Sequence, residues 1–220
     1  MTARQDELLE AAYRYALDNG LADLSLRPLS AAIGSSPRVL LFLFGSKDGL
    51  VRALLTRARA DELKLLDNTG HALDLPDAVE RIWAWLAAPE HRPLLRLWAE
   101  AYTRSLVEPD GAWAGFARAT VDDWLDVLTT CQPPAERETA DGIASRTLAL
   151  SVLRGALLDL LATGDEPRTT AAIRQHLRSA PHSVASAGTA RPPAHSRPGS
   201  PSALSAASAE PGPTAPRPAD

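Results

Sequence analysis

The chain of 220 residues has a single cysteine, a single methionine and few aromatics, at 5% of the composition. One cysteine, Cys131, excludes an internal disulfide and a cysteine-based zinc cluster. It reads as a reduced, small hydrophobe in a cytosolic protein. β-Branched runs are scarce, and no Asn-Gly or Asp-Gly pair lies between alternating apolar and polar stretches, so hairpins are not expected. No run approaches the ~18–20 uninterrupted apolar residues that a membrane helix needs. The opening Met1-Thr2-Ala3-Arg4-Gln5-Asp6-Glu7 lacks the apolar core of a secretion signal, and no leader is expected there. The five histidines (His71, His91, His176, His182, His195) show no His-Glu-x-x-His spacing. Neither a Gly-x-Ser-x-Gly elbow nor a Walker-type phosphate loop is present. No cofactor, metal or catalytic residue is therefore expected, and the chain is read as a non-enzyme.

Positive charge is also short. The net charge is −4, and it is unevenly spread. Residues 1–60 are slightly basic, residues 61–180 are acidic, and the last forty are close to neutral. An acidic body argues against an all-over nucleic-acid or anionic-lipid surface. Only the N-terminal part has the right sign for phosphate.

What the chain does have is helix formers, with Ala, Leu and Arg abundant and Glu beside them. Leu8, Leu9, Ala12, Tyr13, Ala16 and Leu17 recur at three and four, which predicts a first helix over 4–19 ended by Gly20. Ser25 as an N-cap, with Pro28 in the first turn, starts a second helix over 26–33. After Gly34, Ser36 caps a third that has Pro37 at the first helical position and runs to about Leu43. Gly45 breaks it, and a long helix follows from Ser46–Lys47 to about Leu66. Further helices are expected over 76–88, 90–107, 111–131, 135–162 and 167–179. From Pro181 the sequence becomes Pro, Ala, Ser and Gly without an aromatic residue. It cannot bury enough apolar surface to order itself, so 181–220 is expected to be disordered. The fold class is thus all-α, with about nine helices.

The informative stretch is Leu26-Arg-Pro-Leu-Ser-Ala-Ala-Ile-Gly-Ser-Ser-Pro-Arg-Val-Leu-Leu-Phe-Leu-Phe44. Two short helices joined at Gly34, with 4–19 across them, make a helix-turn-helix whose second helix enters a major groove. Leu29, Ile33, Leu40 and Leu43 are its inward positions. Together with Phe44-Gly45-Ser46-Lys47-Asp48-Gly49-Leu50, this stretch resembles the N-terminal domain of the TetR family of bacterial transcriptional regulators over residues 5–55. Leu160-Leu-Ala-Thr-Gly-Asp-Glu-Pro167 is similar to the turn between that family's last two helices. The resemblance implies a homodimer that binds operator DNA through its head and a small-molecule effector in its body.

The chain departs from the family pattern in the reading helix. Leu41 stands where a phosphate-touching Tyr is usual and Leu43 where a polar residue is usual; Ser35 and Arg38 replace a common Val and Gly. The expected base contacts reduce to Ser36, Pro37, Arg38, Val39 and Phe42. Arg38 can meet guanine O6 and N7 bidentately, and Val39 or Phe42 can meet a thymine methyl. Ser25, Arg27 and Lys47 match positions that hold the duplex through phosphates. Ser25 and Lys47 also sit at helix starts, where N–H groups favour an anion.

In the body, Ile143–Leu161 is apolar nearly all round and needs covering on two sides. Leu148, Val152, Gly155, Ala156, Ile173 and Leu177 are the expected dimer contacts. All five tryptophans lie between Trp83 and Trp124. The effector pocket is expected among Trp83, Arg96, Trp98, Glu100, Tyr102, Trp113, Phe116 and Trp124, with Arg104 nearby. The domain reading is therefore a DNA-binding head over 1–46, a ligand-binding and dimerisation body over 47–180, and the tail. The competing reading is a helical small-molecule-binding protein, or an interaction module that does not bind DNA.

Overall fold

The computed structural model describes residues 3–67 and 74–179. All regular structure among the described residues is helical. Helix α1, Ala3–Asn19, buries Leu8, Leu9, Ala12, Tyr13 and Ala16, the stripe its periodicity dictates. Helices α2, Leu26–Ala32, and α3, Pro37–Phe44, follow. Leu29 of α2 and Leu40 of α3 are fully buried between them and α1. The turn is a Schellman motif: Ser35 N–H donates to Ser30 O at 2.8 Å and Gly34 N–H to Ala31 O at 3.4 Å. It places Gly34 at φ +64°, which glycine adopts without Cβ strain.

Helix α4, Lys47–Asp67, is a link about 30 Å long. Ser46 caps it through Gly49 N–H, 2.9 Å from Ser46 Oγ. Helices α5, Leu75–Ala87, α6, Arg92–Val107, α7, Phe116–Thr130, α8, Ala140–Thr163, and α9, Glu166–Ser179, complete the body. Leu54, Ile82, Leu86, Leu97, Leu128, Leu153, Leu160 and Ile173 form its centre, each nearly inaccessible to solvent.

Three boundaries differ from expectation. Helix α6 is preceded by a 3-10 turn, Pro89–His91, where a continuous helix from 90 was expected. The helix expected over 111–131 splits: Gly111–Trp113 is a single 3-10 turn, and Gly115, left-handed at φ +74°, starts α7 afresh. The helix expected from 135 starts at Ala140, because Thr139 Oγ1 accepts the Gly142 N–H at 3.0 Å and caps it there. The preceding residues coil into turns held by Arg146 Nη1, which donates to Arg137 O at 2.6 Å. The break at Asn68-Thr69-Gly70 and the tail 181–220 lie outside the described residues.

Candidate functional site

Helix α3 is short, and its sequence has more apolar residues than its one packed side can take. Leu40 is buried, and Leu43 and Phe44 are half-buried against the head. The remainder faces out: Val39 is 39% exposed, Leu41 41% and Phe42 85%, with Arg38 exposed beside them. Ser36 Oγ is used as the cap, accepting Val39 N–H at 3.3 Å. The far end of α3 is tied to α1 by Gln5 Nε2, which donates to Leu43 O at 3.0 Å.

Charge follows the same geometry. Arg4, Arg57 and Arg59 each pair with a carboxylate. Arg27, Arg38 and Lys47 are exposed and pair with none among the described residues. These three lie in the first turns of α2, α3 and α4. Ser25 has the extended backbone of a cap position, but its hydroxyl makes no capping hydrogen bond, so it stays available at the surface.

Helix α4 is held at its middle to both α1 and α7. Arg57 pairs with Glu10 of α1, with Nη2 to Oε2 at 3.2 Å, and its guanidinium lies 4.8 Å from the centre of the Tyr13 ring. Two residues on, Arg59 makes a bidentate pair with Asp123 of α7, Nη2 to Oδ1 at 2.6 Å. Burial, with the Asp61 charge adding to it, pushes the Tyr13 hydroxyl well above its ordinary range.

The aromatics of the body do not form one cluster. A cavity of only about 10 Å³ is lined by Ala58 and Glu62 of α4, Trp85 of α5, Leu94, Leu95 and Trp98 of α6, and Phe116 of α7. Tyr102 stacks on Trp98 at 5.0 Å between ring centres, and Arg154 of α8 donates through Nη1 to the Tyr102 hydroxyl at 3.2 Å. Trp124 donates its indole N–H to Glu62. Burial pushes the Glu62 carboxyl up to about 7 against the lowering effect of that bond, and burial lowers Arg154. Trp98, Tyr102, Phe116 and Trp124 are thus gathered around a buried Glu62–Arg154 centre.

The other expected pocket residues go elsewhere. Trp113 is buried in the short turn before α7 and does not line the cavity. Trp83 donates to Thr170 Oγ1 at 2.8 Å and lines an open groove between α5 and α9. Arg96 is exposed, one step around α6 from the inward Leu95 and Trp98. Glu100 accepts the backbone N–H of Leu21, and Arg104 pairs with Glu108. Trp85, one of the five tryptophans but not among the expected pocket residues, lines the cavity, and Glu62 and Arg154 are additions that the aromatic count did not supply. The signal for them was a charge within an apolar stripe: Glu62 follows Leu54 and Ala58 at a spacing of four, and Arg154 interrupts the apolar run of α8. His91 is structural, with Nδ1 2.8 Å from Trp85 O and its ring stacked on Trp85 at 4.0 Å.

On α8, Leu148 is 54% and Leu158 50% exposed, and Ile143 and Gly155 are exposed with them. Val152 and Ala156 are half-buried. Ile173, expected at a dimer contact, is instead 1% exposed in the chain's own core, because Thr169, Ile173 and Leu177 make the stripe that seats α9 on the body.

No group of metal-ligating side chains and no helix long and apolar enough to cross a membrane occurs among the described residues. No family model and no curated protein matches the sequence. Solved structures do match. A transcriptional regulator from Rhodococcus sp. Rha1 superposes with a TM-score of 0.67 at 18% identity, over 80% of this chain and 95% of that one. A TetR-like transcriptional regulator from Rhodococcus sp. RHA1 gives 0.55 at 20% identity, over 81% and 95%. The multidrug binding protein EbrR, complexed with imidazole, gives 0.57 at 21% identity, over 80% and 90%. An outward-facing short helix, a long connecting helix and a helical body thus come together in this chain as a TetR-like fold.

Proposed function

We propose that this chain is a sequence-specific DNA-binding transcriptional repressor, working in the cytoplasm as a homodimer and released from its operator by a small molecule. The single observation that carries the reading is α3. It exposes Arg38, Val39, Leu41 and Phe42 in a row, flanked by the unpaired Arg27 and Lys47. A solvent-facing apolar strip of that kind is unfavourable unless something covers it. A major groove offers thymine methyls to the apolar residues, guanine edges to Arg38 and phosphates to the flanking cations.

The functional division we assign is a reading head over 1–46 and a sensing and pairing body over 47–180. The exposed Leu148, Leu158, Ile143 and Gly155 on α8 are the natural seat for a second copy, with Val152 and Ala156 at its edge. Two heads would then read half-sites about 34–36 Å apart, or a multiple of that. That EbrR is seen with imidazole and with proflavin supports a ligand-taking body on this fold. Helix α4, bonded to α1 through Arg57 and to α7 through Arg59, is the lever by which a ligand that prefers one spacing of the heads shifts the population.

The test is selection from random duplexes by the full chain. The reading predicts enrichment of a two-fold symmetric site. Recovery of unenriched sequence would leave the chain a helical ligand-binding protein without an operator.

A further inference from the structure

The outward face of α3 offers few kinds of chemistry. Pro37–Phe44 contains no Asp, Glu, Asn or Gln, and its one polar side chain is Arg38. Ser36, just ahead of it, uses its Oγ to accept the Val39 N–H at 3.3 Å. Leu40 is 1% exposed and turned inward, whereas Phe42 is 85% exposed. Arg38 and Phe42 are four residues apart and share one face of the helix. Val39 and Leu41 are open beside them.

Each base pair shows its own set of groups in the major groove. Adenine is read by Asn or Gln, and the N4 amine of cytosine by a carboxylate. Helix α3 has none of these. Its face can meet guanine, through the guanidinium of Arg38, and a methyl group, through Phe42, Val39 and Leu41. That methyl sits on C5 of a pyrimidine. Thymine carries it, and 5-methylcytosine carries the same group at the same place. One helical turn advances about 5.4 Å and successive base pairs about 3.4 Å. Phe42 therefore falls one or two base pairs from the guanine that Arg38 meets.

We infer that this chain reads a C5-methylpyrimidine one or two base pairs from a guanine, so that 5-methylcytosine serves in its operator where thymine does, and uracil or cytosine does not. The inference rests on reading α3 as the operator-binding helix. Only a polar side chain can tell the O4 of thymine from the N4 amine of cytosine, and Phe42, Val39 and Leu41 have no polar atom to do so. They respond to the apolar area they cover. One methyl is worth about as much as one buried methylene, close to fourfold in affinity, and a two-fold symmetric site carries the effect twice. Arg27 and Lys47 meet phosphates in any sequence and leave that ratio unchanged.

The experiment starts from the symmetric duplex that the full chain selects. Each thymine within two base pairs of a guanine is changed, one position at a time in both half-sites, to uracil, 5-methylcytosine or cytosine, with the opposite base matched. Gel shifts at fixed salt give the affinities. At the position read by Phe42, 5-methylcytosine is expected to bind within about threefold of thymine, and uracil and cytosine about tenfold or more weakly. Phe42→Ala, at a site already open to water, is expected to keep the parent melting temperature and to close most of that gap. Arg38→Ala is expected to keep the gap and to lose the preference for guanine.

Uracil binding as tightly as thymine at every position overturns the inference and leaves operator reading standing. So does 5-methylcytosine binding as weakly as cytosine, which would mean that O4 is what is read. A selected site with no thymine near a guanine overturns it too. A full gap retained by Phe42→Ala, Val39→Ala and Leu41→Ala alike overturns the assignment to this face. Selection that recovers no preferred site overturns the inference and operator reading together.

Discussion

Glu100 of α6 holds the backbone N–H of Leu21 with both carboxylate oxygens, at 3.2 and 3.0 Å. Leu21 lies in the loop between α1 and α2, so α6 holds the connection into the helix-turn-helix. The same helix carries Trp98 and Tyr102 beside the buried centre, two residues and so about half a turn to either side of Glu100. Any shift of α6 is therefore carried to that loop through one charge-assisted bond. Removing it with Glu100→Ala is expected to destabilise the fold by about 1–3 kcal/mol and to weaken operator binding severalfold. Denaturant unfolding and gel shifts check this; a variant that matches the parent in both contradicts it.

The corner between α3 and α4 depends on an absent side chain. A Cβ on Gly49 would lie 2.0 Å from the Phe44 carbonyl oxygen, a backbone atom that cannot swing away. Gly49→Ala must push the two helices apart. The expected cost is about 1–3 kcal/mol, as for overpacking elsewhere, with loss of operator binding from a misplaced α3. A melting curve and gel shift indistinguishable from the parent would contradict it.

The buried Glu62 makes stability depend on pH. Its carboxyl sits at about 7 in the folded chain against an ordinary 4.5. Between those values the folded state holds a proton that the unfolded state has lost, so stability falls as pH rises. The contribution is complete below about 4.5, declines through the interval and is gone above 7. At 1.36 kcal/mol per pKa unit the span is about 3 kcal/mol. Glu62→Gln, neutral throughout, is expected to flatten that part of the curve. Unfolding free energies of both proteins from pH 4.5 to 8 measure the difference; parallel curves contradict the account.

The exposed face of α8 yields a test of pairing. Leu148→Glu and Leu158→Glu put charge where a second copy is proposed to sit, at positions already half open to water. Each is expected to leave the monomer folded and to shift sedimentation from dimer to monomer, with a tenfold or greater loss in operator affinity. A parent chain that sediments as a monomer at micromolar concentration would count against a homodimer.

Much of the fold is legible in the sequence, for local reasons. The α1 stripe, the Ser36–Pro37 start of α3 and the Gly34 turn are set by periodicity, capping and glycine's access to positive φ. The split before α7 escapes because a glycine such as Gly115 is tolerated inside many helices, and only the fold fixes its left-handed φ. The buried site is less legible. The aromatics suggested polar partners close by in the chain, Arg96 and Glu100, but an α-helix turns 100° per residue and carries Arg96 to solvent. Glu62 and Arg154 come from α4 and α8, which only tertiary packing brings together. Ile173 was misassigned because an apolar stripe does not say whether it meets its own chain or a partner.

The most direct test of the reading helix compares Arg38→Ala with Lys47→Ala on the selected operator and on unrelated duplex at fixed salt. Arg38→Ala is expected to lose about 1–3 kcal/mol on the operator alone and to relax preference at one base pair. Lys47→Ala is expected to weaken both duplexes alike. Equal weakening of both by Arg38→Ala, or none, would contradict the assignment of α3 as the element that reads sequence.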